Sequence, residues 1–357
     1  MILTILNREL ERVGDIDDAI SVIWDKHYRE EGYVEIYTTD TPRSVELLQE
    51  GFYITRDDDE HVARIYSITT DTTEDEGDVV IAAAKFAHVV LGQRIIWNTT
   101  NAEGSAEKAA RALIIDNCMS PSDKLGNPMP ERIIQELELE EEQGLEGEIA
   151  PYQISYANLR THLLEICATF HYGLRATIKA GRNKIAIGFY QGVDRSYGQT
   201  TRQPVVFSQE NENLLSFSYK HDTSTTINAA LVGGEGEGSQ RVLASIGSSS
   251  GIDRHEVFVD AKDITSAQDD GSTYTSDEYN ALLETRGLLN MSPAQESFDA
   301  SVDMSRSYEY RKDFDVGDIV TLHDMRTGAY VNVRLMSMLE SEDANGYTLT
   351  PTFAVDF

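Results

Sequence analysis

The sequence predicts an α+β fold dominated by strands: two β-rich halves, a helical α/β lobe inserted between them, and one further helix near the C-terminus. Three observations lead there. Short runs of alternating apolar and polar residues recur over about 1–100 and 205–353. Apolar residues at helical spacing are confined to four short stretches. Between these elements lie glycine, asparagine and proline clusters of the kind that make turns.

In chain order, Ile2, Thr4 and Leu6 open with alternation, a strand follows at Ile20-Ser21-Val22-Ile23-Trp24, and Tyr33-Val34-Glu35-Ile36-Tyr37 alternates again after the turn-forming Gly32. Pro42 suits a first helical turn, where its missing N–H costs nothing. Val45, Leu47 and Leu48 supply the apolar side of that short helix and Gly51 stops it. Strands are predicted over 52–55, 63–69 and 79–83, with Glu74-Asp75-Glu76-Gly77-Asp78 as a solvated hairpin tip.

Near Asn101 the character changes. Ser105 caps a helix with Glu107 in its first turn and Ala109, Leu113 and Ile114 on one face, running to about Cys118. Pro121, Gly126, Pro128 and Pro130 then enforce a loop, and the acidic run 136–148 reads as exposed. Leu159, Leu163, Ile166 and Phe170 form the stripe of a second helix with Gly173 just past its end, and strands over 174–178 and 185–190 close the lobe.

After Gly192 strands resume, at Val205-Val206-Phe207, 214–219, 228–232 and 242–246. Ser276 is a plausible N-cap, Asp277 and Glu278 complement the helix dipole, and Leu282, Leu283 and Leu288 face inward. Phe298, Ala300, Val302 and Met304 alternate, Val316-Gly317-Asp318 turns into a strand over 319–322, and Asn345-Gly346 marks a hairpin between strands at 331–339 and 347–353.

Charge excludes whole classes of function. The 357 residues hold 61 Asp and Glu against 30 Lys and Arg, a formal net charge of −31. Nucleic-acid backbones and anionic lipids are gripped by clustered cations, which this balance opposes. No stretch approaches the roughly 18 consecutive apolar residues of a membrane span. The short apolar N-terminus lacks the basic region and cleavage site of a secretion signal. Cys118 and Cys167 lie far apart, outside any CxxC pair, so neither a disulfide framework nor a zinc knuckle is indicated.

The motifs that suggest chemistry have blander explanations. Gly233-Gly234-Glu235-Gly236-Glu237-Gly238 resembles a phosphate loop, but a strand rather than a helix follows it and two glutamates sit inside it; a hairpin or bulge built on positive φ angles, or a loop lying close against a partner's backbone, fits better. Gly247-Ser248-Ser249-Ser250-Gly251 matches G-x-S-x-G without the strand-turn-helix setting of a nucleophile elbow. Cys167 and His171 could share a helix face, but His162 points elsewhere, so Cys167 reads as core and the histidines as partly exposed. Asp57-Asp58-Asp59-Glu60 and Asp269-Asp270-Gly271 lack the ligand spacing of a calcium loop. No catalytic, cofactor or metal residue is assigned.

Several segments together resemble the hub proteins of siphophage tail tips and baseplates, also described as tail-associated minor tail proteins. They are Ile20-Ser21-Val22-Ile23-Trp24, Leu91-Gly92-Gln93-Arg94-Ile95-Ile96-Trp97-Asn98, Gly192-Val193-Asp194-Arg195-Ser196, and Val205-Val206-Phe207-Ser208 with Asn213-Leu214-Leu215-Ser216. Further on come Ala230-Leu231-Val232 with the glycine loop to Gly238, Asp253-Arg254, Val259-Asp260-Ala261-Lys262-Asp263-Ile264, and Val316-Gly317-Asp318-Ile319-Val320. Their order and spacing, more than any one of them, carry the resemblance.

The resemblance implies a homotrimer, similar to the hub of contractile phage baseplates, in which each subunit gives two β-barrel-like tube domains to a pseudo-sixfold ring. On this chain the first barrel takes 1–103, completed by about 192–215; the α/β lobe takes 104–191; the second barrel takes 205–357 with a helix at about 276–290. The implied partners are tail-tube and distal tail proteins above and tip or receptor-binding proteins below. Phage DNA passes through without specific binding, and the place of work is the virion, after assembly in the host cytoplasm.

A non-enzymatic structural role is therefore expected, with interface residues Gln93, Arg94, Trp97, Asn98, Gly233, Gly234, Gly236 and Gly238. Relatives often continue into a fibre or a peptidoglycan-cleaving domain, whereas this sequence stops at Asp356-Phe357 just after the last hairpin strand, so those activities are expected of separate proteins. The alternatives are a peptidoglycan or polysaccharide hydrolase and a carbohydrate-binding adhesion module, the latter weakened by only two Trp.

Overall fold

A computed structural model describes all residues except 74–76, 179–182, 269–271, 303–306, 326–327 and 356–357. Its architecture is two curled sheets, each accompanied by an α/β lobe.

The first sheet runs, in spatial order, Arg12–Ile16, Leu3–Leu6, Tyr53–Arg56, Asp59–Thr73, Gly77–Phe86, Tyr33–Thr39 and Ser21–His27, every neighbouring pair antiparallel. Ile16 at one edge and Val22 and Trp24 at the other belong to the same apolar cluster as Leu3, Ile54, Ile65, Val34 and Ala82. Both edges therefore face one core, which requires the sheet to curl. Alternation fixes which side chains enter: Val34 and Ile36 are fully buried from one strand, Trp24 from another, and Trp24 meets Phe86 edge to face at 5.2 Å.

The second sheet orders Val206–Ser208, Ile319–Asp324, Ala329–Asp343, Gly346–Ala354, Gln295–Val302 and Leu214–Asp222. Phe207 and Leu214, from its two edges, share a core with Val320, Val333, Leu335 and Phe353, so it curls as well. Residues 192–215, expected to complete the first barrel, pair instead with this sheet: Asp194 bridges Ile319, Arg195 N donates to Ile319 O, and Val206–Ser208 runs parallel to Ile319–Asp324.

The two sheets are fused where Ser21–His27 pairs antiparallel with Ala329–Asp343, from His27 opposite Ser337 to Val22 opposite Glu342.

The first lobe holds helices α1, Ala106–Ile114, and α2, Leu159–Thr169, with strands Thr100–Ser105, Leu137–Leu139, Glu148–Ile154, Gly173–Ile178 and Ile185–Tyr190. Its core continues onto the outer side of the first sheet through Leu6, Tyr53 and Val62. Ser105 Oγ accepts from Lys108 N as its N-cap position predicts. The second lobe is a three-stranded sheet, Ala229–Gly233 between Leu243–Ile246 and Glu256–Asp260, covered by helix α3, Ser276–Leu289. The sequence expectation has the strands and the helix here as parts of the second barrel, whereas they pack as a separate lobe.

Several expectations need correction. Leu3 and Ile5 enter the first core while Ile2 is 60% exposed, one step out of phase with the predicted alternation. Val45 of the short helix Pro42–Leu47 is exposed, leaving Leu47 and Leu48 to bury. The acidic run is not all solvated: Leu137–Leu139 pairs in parallel with Ile185–Tyr190, and Glu140 is buried against Arg175 and Thr177. The residue in left-handed conformation after α2 is His171, φ 57°, and not Gly173, which already opens a strand. His162 is buried. The N-cap of α3 is Thr275, in a capping box with Glu278, and Leu288 is 58% exposed. Residues 74–76, 269–271 and 304 of the sequence expectations lie outside the described residues, as do the last two.

Candidate functional site

A network of charged side chains lies where the two sheets fuse. Lys26, buried on the junction strand, sets its Nζ 2.8 Å from Asp315 and 3.4 Å from Asp59. Arg56, also buried, binds Asp58 through two nitrogens at 2.6 and 2.7 Å and Glu340 at 3.1 Å, with its guanidinium 5.3 Å from the Trp24 ring. Arg311 reaches Asp58 at 2.6 Å and Glu340, and Tyr347 donates its hydroxyl to the same Glu340 carboxylate. First-sheet cations thus meet second-sheet carboxylates, and a second-sheet cation meets first-sheet ones.

Burial alone would push the Asp59 carboxyl up; Lys26, His61 and Arg311 overcome this and hold it well below the ordinary carboxylate range. Burial would likewise discharge Lys26, and Asp59 and Asp315 reverse it, raising its pKa. Such networks add little net stability, because desolvation offsets attraction, but breaking one partner is costly. Asp57-Asp58-Asp59-Glu60 of the sequence therefore serves in part as an intramolecular clamp.

The sequence-predicted interface residues fall in two places. Gln93, Arg94, Trp97 and Asn98 lie in a strap that crosses the first lobe: Ile96 N donates to Ala157 O at 2.9 Å, Tyr156 N donates to Ile96 O at 2.7 Å, Trp97 N donates to Asn117 Oδ1, and Asn98 Nδ2 donates to Ser122 O. The strap presents Ile95 at 40% and Trp97 at 39% exposure beside Tyr156 at 56%. Arg132 stacks over Trp97 at 4.7 Å and donates to Ile95 O; Lys124 lies 5.7 Å from the Tyr156 ring. Sequence reading identified the strap but not Lys124, Arg132 or Tyr156, which join it only through the fold.

Gly233, Gly234, Gly236 and Gly238 sit apart from the strap, in the second lobe, linking two antiparallel strands as a hairpin. A Cβ on Gly233 would lie 2.6 Å from the Arg241 guanidinium and one on Gly234 2.5 Å from the Tyr279 hydroxyl. Gly236, φ 93°, passes close to Gln240 O. These three are accounted for within the subunit; Gly238, φ 56°, faces open space. The loop is preceded by a strand and followed by a single 3₁₀ turn, Gly238–Gln240, which carries no phosphate cradle. Likewise Gly247-Ser248-Ser249-Ser250-Gly251 leads into a 3₁₀ turn and a strand, without an elbow's helix.

Cys118 and Cys167 are buried free thiols, raised by burial to about 11 and about 12. Among the described residues no cluster of three His, Cys, Asp or Glu is arranged to hold a metal ion, and no helix is long and apolar enough to cross a membrane.

Comparison with known proteins follows the fold. The family described as Siphovirus ReqiPepy6 Gp37-like protein matches residues 2–353. The chain belongs to this family. Among solved structures it is similar to prophage tail protein gp18 of Listeria monocytogenes EGD-e, with 10% identity, TM-score 0.54, and 99% of this chain and 94% of that one covered. The tail protein of Neisseria meningitidis MC58 gives 11% identity, TM-score 0.56 and 99% and 97% coverage. The 43 kDa tail protein of prophage MuSo2 from Shewanella oneidensis gives 8%, 0.57, and 100% and 99%. No curated protein matches in sequence. The Gp37-like chain thus carries, end to end, a β-dominated fold shared with phage tail proteins, in agreement with the resemblance read from its segments.

Proposed function

We propose that this Gp37-like protein is the non-enzymatic hub of a phage tail tip, a homotrimer that adapts a sixfold tail tube to a threefold tip and lines part of the path by which DNA leaves. The observation that carries the reading is the doubled plan of the chain: two curled sheets, each with an α/β lobe, fused by one antiparallel strand pair. Three such chains supply six similar sheets, which is what a sixfold-to-threefold adaptor needs. The buried junction network supports it too, because charges that cannot be exposed singly resist any change in the angle between the sheets.

In domain terms, residues 1–103 form the first tube domain, 104–191 its lobe, and 205–357 the second tube domain carrying the lobe that ends in α3. Tube and distal tail proteins stack above and tip or receptor-binding proteins below. The formal charge of −31 per subunit fits a conduit from which phosphates are repelled. Screening over about 8 Å confines that effect to lumen residues, so the bore is neutral to negative.

Light scattering of the purified protein tests the trimer; the expected mass is three times 39.8 kDa. A particle that stays at 39.8 kDa at all concentrations refutes it. Zymography on cell walls tests the non-enzymatic reading, since a lytic band from the isolated chain would favour a hydrolase.

A further inference from the structure

We propose that the surface around Trp97 is the cationic half of a head-to-tail contact, docking on the acidic surface of a second copy of this chain. The proposal rests on the trimeric reading above and says which surface closes the ring.

Three observations converge on this surface. First, Ile95, Trp97 and Tyr156 expose apolar area side by side, held by the backbone bonds between 96 and 156–157. Aromatic residues and arginine are the types that anchor interface centres. Second, Arg94, Lys124 and Arg132 surround them, and among the described residues none has a carboxylate oxygen within 4.0 Å. Arg94 donates to the carbonyls of Gln93 and Arg132, Arg132 to that of Ile95, and Arg132 and Lys124 lie over the Trp97 and Tyr156 rings. Burial and the neighbouring Arg94 charge hold Arg132 below its ordinary pKa, so this is a crowded cationic spot. Third, it stands on a chain of net charge −31.

Charge selects both the occupant and the geometry. The surface of another copy is rich in carboxylates, so the cations find there the partners they lack within the subunit. A twofold contact that matched this patch with itself would set Arg94, Lys124 and Arg132 against their own likenesses. Only a heterologous contact avoids that, and a heterologous contact whose rotation closes after three copies makes a ring. Aromatic contact supplies the desolvated centre, and the cations supply register and partner choice.

Zero-length carbodiimide coupling of a mixture of isotopically light and heavy protein tests the contact, with cross-links read by mass spectrometry. The expected product is a mixed-isotope link from Lys124 to an Asp or Glu of another copy. Lys124 is exposed and its side chain makes no hydrogen bond among the described residues, so Lys124→Glu retains the fold by circular dichroism; it should weaken trimer formation at least tenfold, and Trp97→Ala should do so too. Association should also blue-shift Trp97 emission, since the other tryptophan, Trp24, is buried already. A trimer whose affinity is unchanged in Lys124→Glu and Trp97→Ala, with no mixed link from Lys124, overturns the proposal and leaves the trimer standing. A wild-type protein that never associates overturns both. Binding of a labelled oligothymidylate that Lys124→Glu abolishes, with the trimer unaffected, would make the occupant a nucleic acid and also overturn it.

Discussion

Glu340→Gln removes one negative charge from a side chain that is 0% exposed and that holds two guanidinium groups and a tyrosine hydroxyl. The amide keeps the size, but its NH₂ must now face arginine donors. Arg56, with its side chain 3% exposed, retains Asp58 alone among its described carboxylate partners, and Asp58 is largely in water. Stranding a buried charge in this way costs about 3–5 kcal/mol. Over a chain of 357 residues unfolding as one unit, an entropy of about 2.1 cal/mol/K per residue converts this to a fall in Tm of about 4–7 °C. Differential scanning calorimetry at pH 7 and fixed protein concentration reads it directly. The paired replacement Arg311→Met with Glu340→Met should lose less than its two single variants together, by about 1.5 kcal/mol or more, because neither charge is then left alone. A Glu340→Gln shift below about 1 °C would refute the reasoning, since the junction would then be solvated or slack.

His88 is buried, and burial followed by the charges of Arg160 and His61 lowers its pKa to about 3. Its unfolded value is about 6.5, so the unfolded chain gains a proton that the folded one refuses. Stability should therefore fall as pH drops from about 6.5 towards 3, by up to about 1.4 kcal/mol per pH unit from this group; urea titrations of His88→Gln should show a shallower slope in that window. Thr275→Ala removes the bond of the capping box on α3 in which Thr275 Oγ1 accepts from Glu278 N, and should cost about 1 kcal/mol, read as local loss of hydrogen-exchange protection in the second lobe. Gly192→Ala would place a Cβ 1.9 Å from Gly317 O, where backbone cannot give way, and should destabilise by about 3 kcal/mol or more in chemical denaturation.

The strand-dominated fold was legible because strands announce themselves through period-two patterns, and Tyr33–Thr39 and Ala329–Asp343 with Gly346–Ala354 carry them clearly. Two kinds of feature were not. Leu137–Leu139 is hidden because its neighbours are glutamates, and only tertiary pairing with Ile185–Tyr190 and the Arg175 partner of Glu140 reveal it as structure. The second lobe was legible as strands and a helix, but not as a unit, since its parallel pairing of Ala229–Gly233 with Glu256–Asp260 spans a long connection without a local signal. The site behaves alike: Arg94 and Trp97 stood out within one segment, whereas Lys124, Arg132 and Tyr156 reach it from loops 27 to 59 residues downstream. The junction network draws on Lys26, Arg56, Arg311 and Glu340, and no spacing in the chain links them.

Three copies of this chain are proposed above to close the distal end of a phage tail tube. A cryo-electron microscopy map of the assembled tail is the most direct test of that proposal. The expected map shows a threefold ring beneath the tube, each subunit contributing its two curled sheets at similar radius around a neutral-to-negative bore. A tail tip in which this chain is absent, or occurs in a number of copies other than three, would contradict it.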